Sequence, residues 1–515
     1  MTRITCFDGV GCIGGNKILL EDGGTKLFFD FGRNFGAEGS LYDEFMQPKP
    51  VTGLYEHVRM GFLPPLRDLY RPDLESSLCD PWNGMETSEI GQVDGVLVSH
   101  AHVDHIGSIG FLRPEIPLYC SPMSAAVSRA LQDTGVSGQA CEYCYYVPRV
   151  DTEDAGLSSP NYRTNPYLSR RLCLTEAPTE SFSQLWRSSA GSRELEASVC
   201  ERADTCGGLR VRSFPVDHSV YGATAWAVET SVGWVVYSGD LRVHGGYGDS
   251  TRRFAEAARE LKPVALIIEG TRIDEEKTFT ESDVRAASLA VVKESRGLVV
   301  ADFGPRNVER LISFLQIARE TGRELAILPK DAYLLEAMRA AGGSQEVPSL
   351  DDGGFAIYWE YSGSQFKWQA GIRERYRHLA VSPTDVAANQ DKFICCFSYW
   401  DINELAYILP VPGSVYIYSS CEPFSEEMEI DARKLLKWID RFDLKLYGAI
   451  SDIYDPTDPF HVSGHASRPD LMEIVRTIRP KNLIPVHCLT PEVYAKELGA
   501  ETNVILPKRG QPIDL

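Results

Sequence analysis

The sequence predicts an α/β protein: a strand-rich first part, then a doubly wound parallel sheet. Three observations lead there. The first thirty residues carry three short apolar runs joined by Gly-containing turns. From Leu266-Ile267-Ile268 onward, apolar runs of strand length alternate with stretches of helical pattern. Between these regions, the apolar run Val93 to Ser99 breaks into His100-Ala101-His102-Val103-Asp104-His105.

The opening strands are read at Thr2 to Phe7, Lys17 to Leu20 and Thr25 to Phe29, with turn chemistry at Gly14-Gly15 and Asp22-Gly23-Gly24. The segment from Arg33 to Gln92 holds Pro48, Pro50, Pro64, Pro65 and Pro72, so it is expected to be an excursion from the core. The strand before the histidines follows, then Pro117 to Cys120 and a helix near Ser124 to Gln132. Gly135 to Gly208 is expected to be a second irregular insertion. Strands return at Leu209 to Phe214, Ala223 to Thr230, Gly233 to Tyr237 and Leu266 to Ile268. Thr280, with Asp283 three residues on, caps a helix to about Glu294. Beyond it come strands at Gly297 to Phe303, Leu325 to Leu328, Phe393 to Phe397 and Ser414 to Tyr418. Helices are expected at Val308 to Thr321, Glu426 to Arg441 and Arg468 to Ile478.

At 515 residues the chain can hold two domains or one composite one. No apolar run approaches the roughly 20 residues of a membrane span, and the first residues do not read as a secretory leader. A cytoplasmic location without membrane contact is the expectation. Thirteen Cys fit free thiols in a reducing compartment. Cys141, Cys144, Cys200 and Cys206 also admit a structural zinc, although their spacing departs from compact zinc modules. A net charge of −20 argues against general coating of nucleic acid; a locally cationic site remains open.

Three of the chain's ten His fall in the 100–105 cluster, and imidazole with carboxylate is a ligand set for divalent metal. Adjacent residues of a strand face opposite ways, so the cluster requires a turn to converge. Asp217-His218, Asp240 and Pro485-Val486-His487 also end apolar runs. Each alone reads as readily as structural; together they bring the donors to five His and two Asp.

These motifs resemble the metallo-β-lactamase fold and, within it, the β-CASP nuclease branch, with greatest similarity to the ribonuclease J group. Asp30, His100–His105, His218 and Asp240 match the wider fold. Glu269, Ser463-Gly464-His465-Ala466-Ser467 and Pro485-Val486-His487 match the branch, and Asp302–Arg310 resembles a ribonuclease J segment. The resemblance implies an αββα sandwich (1–275 and 456–515) interrupted by an inserted doubly wound β-CASP domain (276–455). It implies that His100, His102 and His218 hold one divalent ion, that Asp104, His105 and His487 hold a second, and that Asp240 bridges both. Zinc is the preferred ion, manganese the alternative. Asp30 would orient a ligand histidine. His487 leans the substrate toward single-stranded RNA. A hydroxide bridging the ions would attack the phosphodiester, with Asp104 counted among the catalytic groups. His465 would be the general acid, with its basicity raised by Glu269; a solvated strand-end carboxylate is the plainer reading of Glu269. Ser463, Gly464 and Ser467 precede a helix, where a substrate phosphate or an ordinary cap are both open readings.

Where ribonuclease J carries a Ser-Gln-Gly-Glu-like segment, this chain has Phe397-Ser398-Tyr399-Trp400-Asp401. Ser398 is the remaining candidate for a phosphate contact, and Tyr399 and Trp400 are read either as base-stacking or as core. Exonuclease and endonuclease action both stay open, as does a homo-oligomer. Two other functions fit fewer of the motifs. A lactonase- or thioesterase-type metallohydrolase shares the ligands but has no use for the Ser-Gly-His segment. A catalytically silent RNA-processing subunit would be expected to lack ligands.

Overall fold

The computed structural model describes the chain except residues 44, 136, 137, 199, 277, 278, 422, 424, 425 and 451–457 and the side chain of 426. Two mixed sheets stack face to face. The first has eight strands in the order Cys200–Arg202, Leu172–Leu174, Leu118–Cys120, Gly95–Leu97, Thr25–Phe29, Lys17–Asp22, Thr2–Asp8 and Pro512–Asp514. The second has seven: Thr205–Cys206, Leu209–Pro215, Thr224–Thr230, Gly233–Tyr237, Ala265–Ile268, Asn482–Pro485 and Asn503–Val504. Alternate side chains of both meet in one buried layer. Ile4, Ile18, Leu20, Leu27, Phe29 and Leu97 come from the first sheet; Val211, Trp226, Val228, Val235, Tyr237, Ile267 and Ile484 from the second. Helices Gly248–Glu260 and Arg468–Ile478 cover the outer face of the second sheet through Phe254, Leu471 and Val475. Helix Pro122–Thr134, capped by Ser121, lies with Val96, Val98 and Leu118 in the layer outside the first. This is the αββα architecture.

A third sheet is parallel throughout, in the order Ala380–Val381, Phe355–Tyr358, Glu324–Ile327, Phe393–Cys395, Val299–Asp302, Val415–Tyr418 and Lys445–Tyr447. Strands such as Val299–Asp302 are apolar on both faces because helices cover both. Every strand of this sheet falls between residues 299 and 447, whereas the stacked sheets draw theirs from before 269 and after 481. The expected junction at 455/456 lies outside the described residues.

The helix Glu281–Glu294 starts with the expected capping box of Thr280 and Asp283, and Val308–Thr321 ends at Gly322 in the left-handed region (φ +70°). The segment Gly135–Gly208 departs from expectation. It is no pure excursion, since Leu172–Leu174 and Cys200–Arg202 extend the first sheet beyond Leu118–Cys120. Three-residue strands are too short to print a two-residue period on a polar stretch, so only pairing to a preformed edge reveals them. The 33–92 segment likewise contributes core, burying Leu54, Val58, Leu63, Leu69 and Leu74.

Candidate metal centre

Six strands of the sandwich deliver polar side chains just beyond their C-terminal ends. Thr25–Phe29 leads to Asp30, Gly95–Leu97 to His100, Leu209–Pro215 to His218, Gly233–Tyr237 to Asp240, Ala265–Ile268 to Glu269 and Asn482–Pro485 to His487. The short helix Val103–Ile106 turns Asp104 and His105 back toward the same point. Two of these positions hold strained backbone. Asp30 and His487 lie at φ +55° and +49°, a conformation that L residues adopt reluctantly. Gly32 is required by a close approach, because a Cβ there would meet the Asp104 carbonyl oxygen at 1.6 Å.

All seven expected ligands come together. The ligand atoms of His100, His102 and His218 form one group and those of Asp104, His105, Asp240 and His487 another; within each, the atoms lie within 4.8 Å of one another. His102 Nδ1 sits 3.1 Å from both His100 Nε2 and His218 Nε2. Asp240 Oδ2 lies 3.0 Å from His105 Nε2 and 3.6 Å from His100 Nε2 and His487 Nε2, so it stands between the groups. Asp104 Oδ2 lies 3.2 Å from His487 Nε2.

The outward nitrogens are tied to the scaffold, which selects the tautomer that aims the other nitrogen inward. His218 Nδ1 donates to the Gly464 carbonyl at 2.6 Å, and His487 Nδ1 lies 2.8 Å from the Thr271 hydroxyl. His105 Nδ1 donates to Asp30 Oδ2 at 2.7 Å. Asp30 also accepts from Ser99 N (2.6 Å), Ser99 Oγ (2.7 Å) and Tyr237 Oη (2.7 Å). It therefore holds a histidine and does not itself face the centre. Thr271 and Tyr237 escaped the sequence reading: neither carries a signal separable from an ordinary hydroxyl near a strand end.

Electrostatics fits this site to cations. Burial and the neighbouring rings hold His100 and His218 far below the usual imidazole range, and burial with the Arg306 charge brings His102 down to about 3. Neutral imidazoles are the metal-binding form. The outward nitrogens of His100 and His218 are engaged by the Ser99 hydroxyl and the Gly464 carbonyl, so their facing nitrogens both present lone pairs to His102 Nδ1. Burial opposes ionisation of Asp104 and Asp240, but the His105 and His487 charges outweigh it and both stay far below the usual carboxylate range. Asp240 Oδ1 is buried with no hydrogen-bond partner. An unpaired buried carboxylate oxygen beside converging nitrogens suits a divalent cation.

His465 lies against both groups, its ring centroid 5.0 Å from that of His218 and 5.6 Å from that of His487. Its Nδ1 donates to Glu269 Oε2 at 2.9 Å. Burial lowers its basicity, but Glu269 more than compensates and raises the pKa to about 9. Glu269 is buried, not solvated, and accepts also from Leu241 N at 2.8 Å and Thr271 N at 3.2 Å.

At residues 463–467, where an anion pocket or a helix cap was expected, several groups have internal partners. His465 N donates to Ser463 Oγ, Ala466 N to the Leu241 carbonyl and Arg468 N to the Glu275 carbonyl. Ser467 occupies the N-cap position of Arg468–Ile478, yet its hydroxyl donates to Asp470 Oδ2 (2.7 Å) and caps no backbone N–H. The Gly464 carbonyl is taken by His218. Internal partners thus engage the N–H groups of His465 and Ala466 and the Gly464 carbonyl, and the turn positions His465 and His218. Ser398 is engaged too: its hydroxyl donates to Asp401 Oδ2 at 2.6 Å, and it lines a small crevice with Phe303, Pro305 and Lys330. No hydrogen bond among the described residues joins it to the ligand cluster. Trp400 is 71% exposed, which removes core packing as its role. All thirteen Cys are free thiols, and the metal-capable groups among the described residues do not include Cys141, Cys144, Cys200 or Cys206.

A family model for the β-lactamase superfamily domain matches residues 65–151, across the histidine cluster. One for the Zn-dependent metallo-hydrolase RNA specificity domain matches 457–502, across His465 and His487. A ribonuclease J of Helicobacter pylori is 20% identical over 540 residues, covering 100% of this chain and 60% of the relative. One of Mycolicibacterium smegmatis is 22% identical, covering 100% of this chain and 74% of the relative. The chain thus spans about three fifths of the length of the H. pylori relative. A solved structure of a protein of unknown function from Enterococcus faecalis V583 aligns over 100% of both chains with a TM-score of 0.67 at 23% identity, a likeness of fold. The fold is that of the metallo-β-lactamase superfamily. The two matched domains and the ribonuclease J relatives support a ribonuclease J-like member of its β-CASP branch.

Proposed function

We propose that the chain is a two-metal phosphodiester hydrolase acting on single-stranded RNA. The domains are taken as 1–275 and 456–515 for the sandwich and 276–455 for the insertion, in keeping with sheet membership. His100, His102 and His218 would hold one divalent ion, Asp104, His105 and His487 the other, and Asp240 would reach both. When bound, the ions supply an acidified water and neutralise charge on the phosphate. The all-imidazole trio favours zinc, and manganese suits the carboxylate-bearing set.

The observation that carries the reading is His465. A ring adjacent to both ligand groups, with its own buried carboxylate, is what an oxygen leaving group needs. Glu269 fixes Nδ1–H and keeps the ring protonated at neutral pH, so Nε2–H is the proton available to the departing 3′ oxygen; cleavage leaves a 5′-phosphate. His465 also groups with His218 and Asp240 as a possible ion-holding trio. Its engagement by Glu269 supports the proton-donor role instead.

Purified protein supplied with Zn²⁺ or Mn²⁺ should degrade single-stranded RNA, and Asp104→Ala or His465→Ala should abolish this. Cleavage retained in either variant refutes the assignment. End-labelled RNA with a 5′-hydroxyl or a 5′-monophosphate separates the modes: mononucleotides released only from the monophosphate mean a 5′-exonuclease, internal fragments from both an endonuclease.

A further inference from the structure

We propose that Arg306 grips the substrate phosphate at the metal centre, an inference that rests on the nuclease function proposed above. The residue follows strand Val299–Asp302 of the third sheet and precedes helix Val308–Thr321, so the inserted sheet carries it to a site built by the sandwich. Its loop is anchored at both ends. Asn307 N donates to the Gly304 carbonyl and Val308 N to that of Arg306. One residue on, Glu309 accepts from Arg242 Nη2 and from Gly246 N, both at 2.6 Å, and Arg310 pairs with Glu281. Arg242 and Gly246 belong to the sandwich, so the base of Arg306 is held in register with the ligand strands.

Arg306 Nη1 is buried and makes no hydrogen bond. Other buried arginines of this chain are engaged: Arg71 by Asp73 and Glu142, Arg129 by Asp133, Arg310 by Glu281, and Arg170 by the carbonyls of Gly110 and Leu112. Carboxylates are abundant at 72 Asp and Glu against 52 Lys and Arg, so scarcity does not explain the vacant donor. A buried guanidinium N–H without an acceptor is costly unless a ligand supplies one. The charge is felt at the centre. After burial it is the largest influence on His102, and Asp104 is the foremost charge acting on Arg306 in return. No ion pair with Asp104 forms. The residue as a whole is half-buried.

A guanidinium offers a planar fork of donors that matches two phosphate oxygens, and a preplaced cation gains strength as charge builds there. A lactone or thioester carbonyl has no second anionic oxygen for the fork. Arg306 therefore selects for a phosphodiester. Its position explains how a chain of net charge −20 can hold a polyanion where hydrolysis occurs.

The test compares the 515-residue chain, metal-loaded, with Arg306→Ala and Arg306→Lys. One readout is steady-state cleavage of single-stranded RNA. The other is equilibrium binding of a single-stranded phosphorothioate oligonucleotide, which needs no turnover. Arg306→Ala should lose about 10²-fold in kcat/KM and bind about tenfold more weakly, with unchanged metal content. Arg306→Lys should regain part of the binding but little of the rate, because the fork is gone. Arg306→Gln replaces the alanine variant should that one not fold. Binding and cleavage by the alanine variant within twofold of wild type overturn the proposal and leave the nuclease reading standing. Loss of metal from the variants overturns it in favour of a role in holding the ligands. If wild type cleaves no RNA, the nuclease reading falls and binding decides for Arg306: weaker binding by the variant upholds phosphate recognition, and equal or absent binding overturns it.

Discussion

Asp30→Asn isolates the support of one ligand without touching the ligand itself. The Asp30 carboxylate is fully buried and accepts four hydrogen bonds: one at Oδ1 from Ser99 N, and three at Oδ2 from Ser99 Oγ, Tyr237 Oη and His105 Nδ1. Asparagine has one acceptor. Turned to keep the three bonds, its NH₂ opposes Ser99 N–H; turned the other way, it opposes three donors. At best one bond to a charged acceptor is lost, which costs about 1.5 to 3 kcal/mol, and the other three weaken. His105 then loses the anion that fixes its ring, and such losses lower metal affinity roughly 10- to 100-fold, about 1.4 to 2.7 kcal/mol. Isothermal titration of chelator-stripped protein with Zn²⁺ measures this, with the apparent unfolding midpoint as the second readout. Wild-type affinity together with an unchanged midpoint would show that His105 is held by its neighbours and not by Asp30.

Gly32→Ala should leave protein that cannot load metal, since the new Cβ would lie 1.6 Å from the Asp104 carbonyl oxygen and 2.8 Å from His105 N; metal analysis after reconstitution checks it. Glu269→Gln should lower kcat about 10²-fold with little change in KM, because it removes the charge that keeps His465 protonated yet alters no ligand; a KM effect alone would contradict it. Removal of metal should lower the unfolding midpoint and re-addition restore it, because neutral nitrogens of His100, His102 and His218 face one another at 3.1 Å without a cation; a midpoint indifferent to EDTA would count against an ion there. Stability should fall as pH rises from about 4 to 7 through Asp302, which burial raises from 3.8 to about 7 despite the Tyr416 hydroxyl at 2.6 Å. The folded state keeps this proton longer than the unfolded one, so the contribution is whole below pH 4 and lost by pH 7, up to about 4 kcal/mol. Denaturant midpoints at pH 5 and 8 should lie closer together in Asp302→Asn, and an unchanged gap would mean that Asp302 is ionised in the fold.

Much of the centre was legible because metal ligation is demanding about residue type. His100-Ala101-His102-Val103-Asp104-His105 has few uses other than an ion, and a strand end is where side chains can converge. Ser463 to Ser467 left a phosphate pocket and an ordinary cap both open. An anion pocket before a helix needs free N–H groups, and here the carbonyls of Leu241 and Glu275 take those of Ala466 and Arg468. The Gly135–Gly208 segment misled for a related reason: Leu172–Leu174 is a strand because Leu118–Cys120 offers it an edge.

Composition and order along the chain determined which donors exist, that they sit at strand ends, and that the second half winds into a parallel sheet, since apolar periodicity and turn residues act over a few neighbours. Which donors face one another, which proton Glu269 holds, and that the charge of Arg306, carried on another sheet, acts on His102 and Asp104 were decided only by tertiary packing. Those relations join residues hundreds of positions apart, such as His487 and Asp104, and no local preference of the backbone records them.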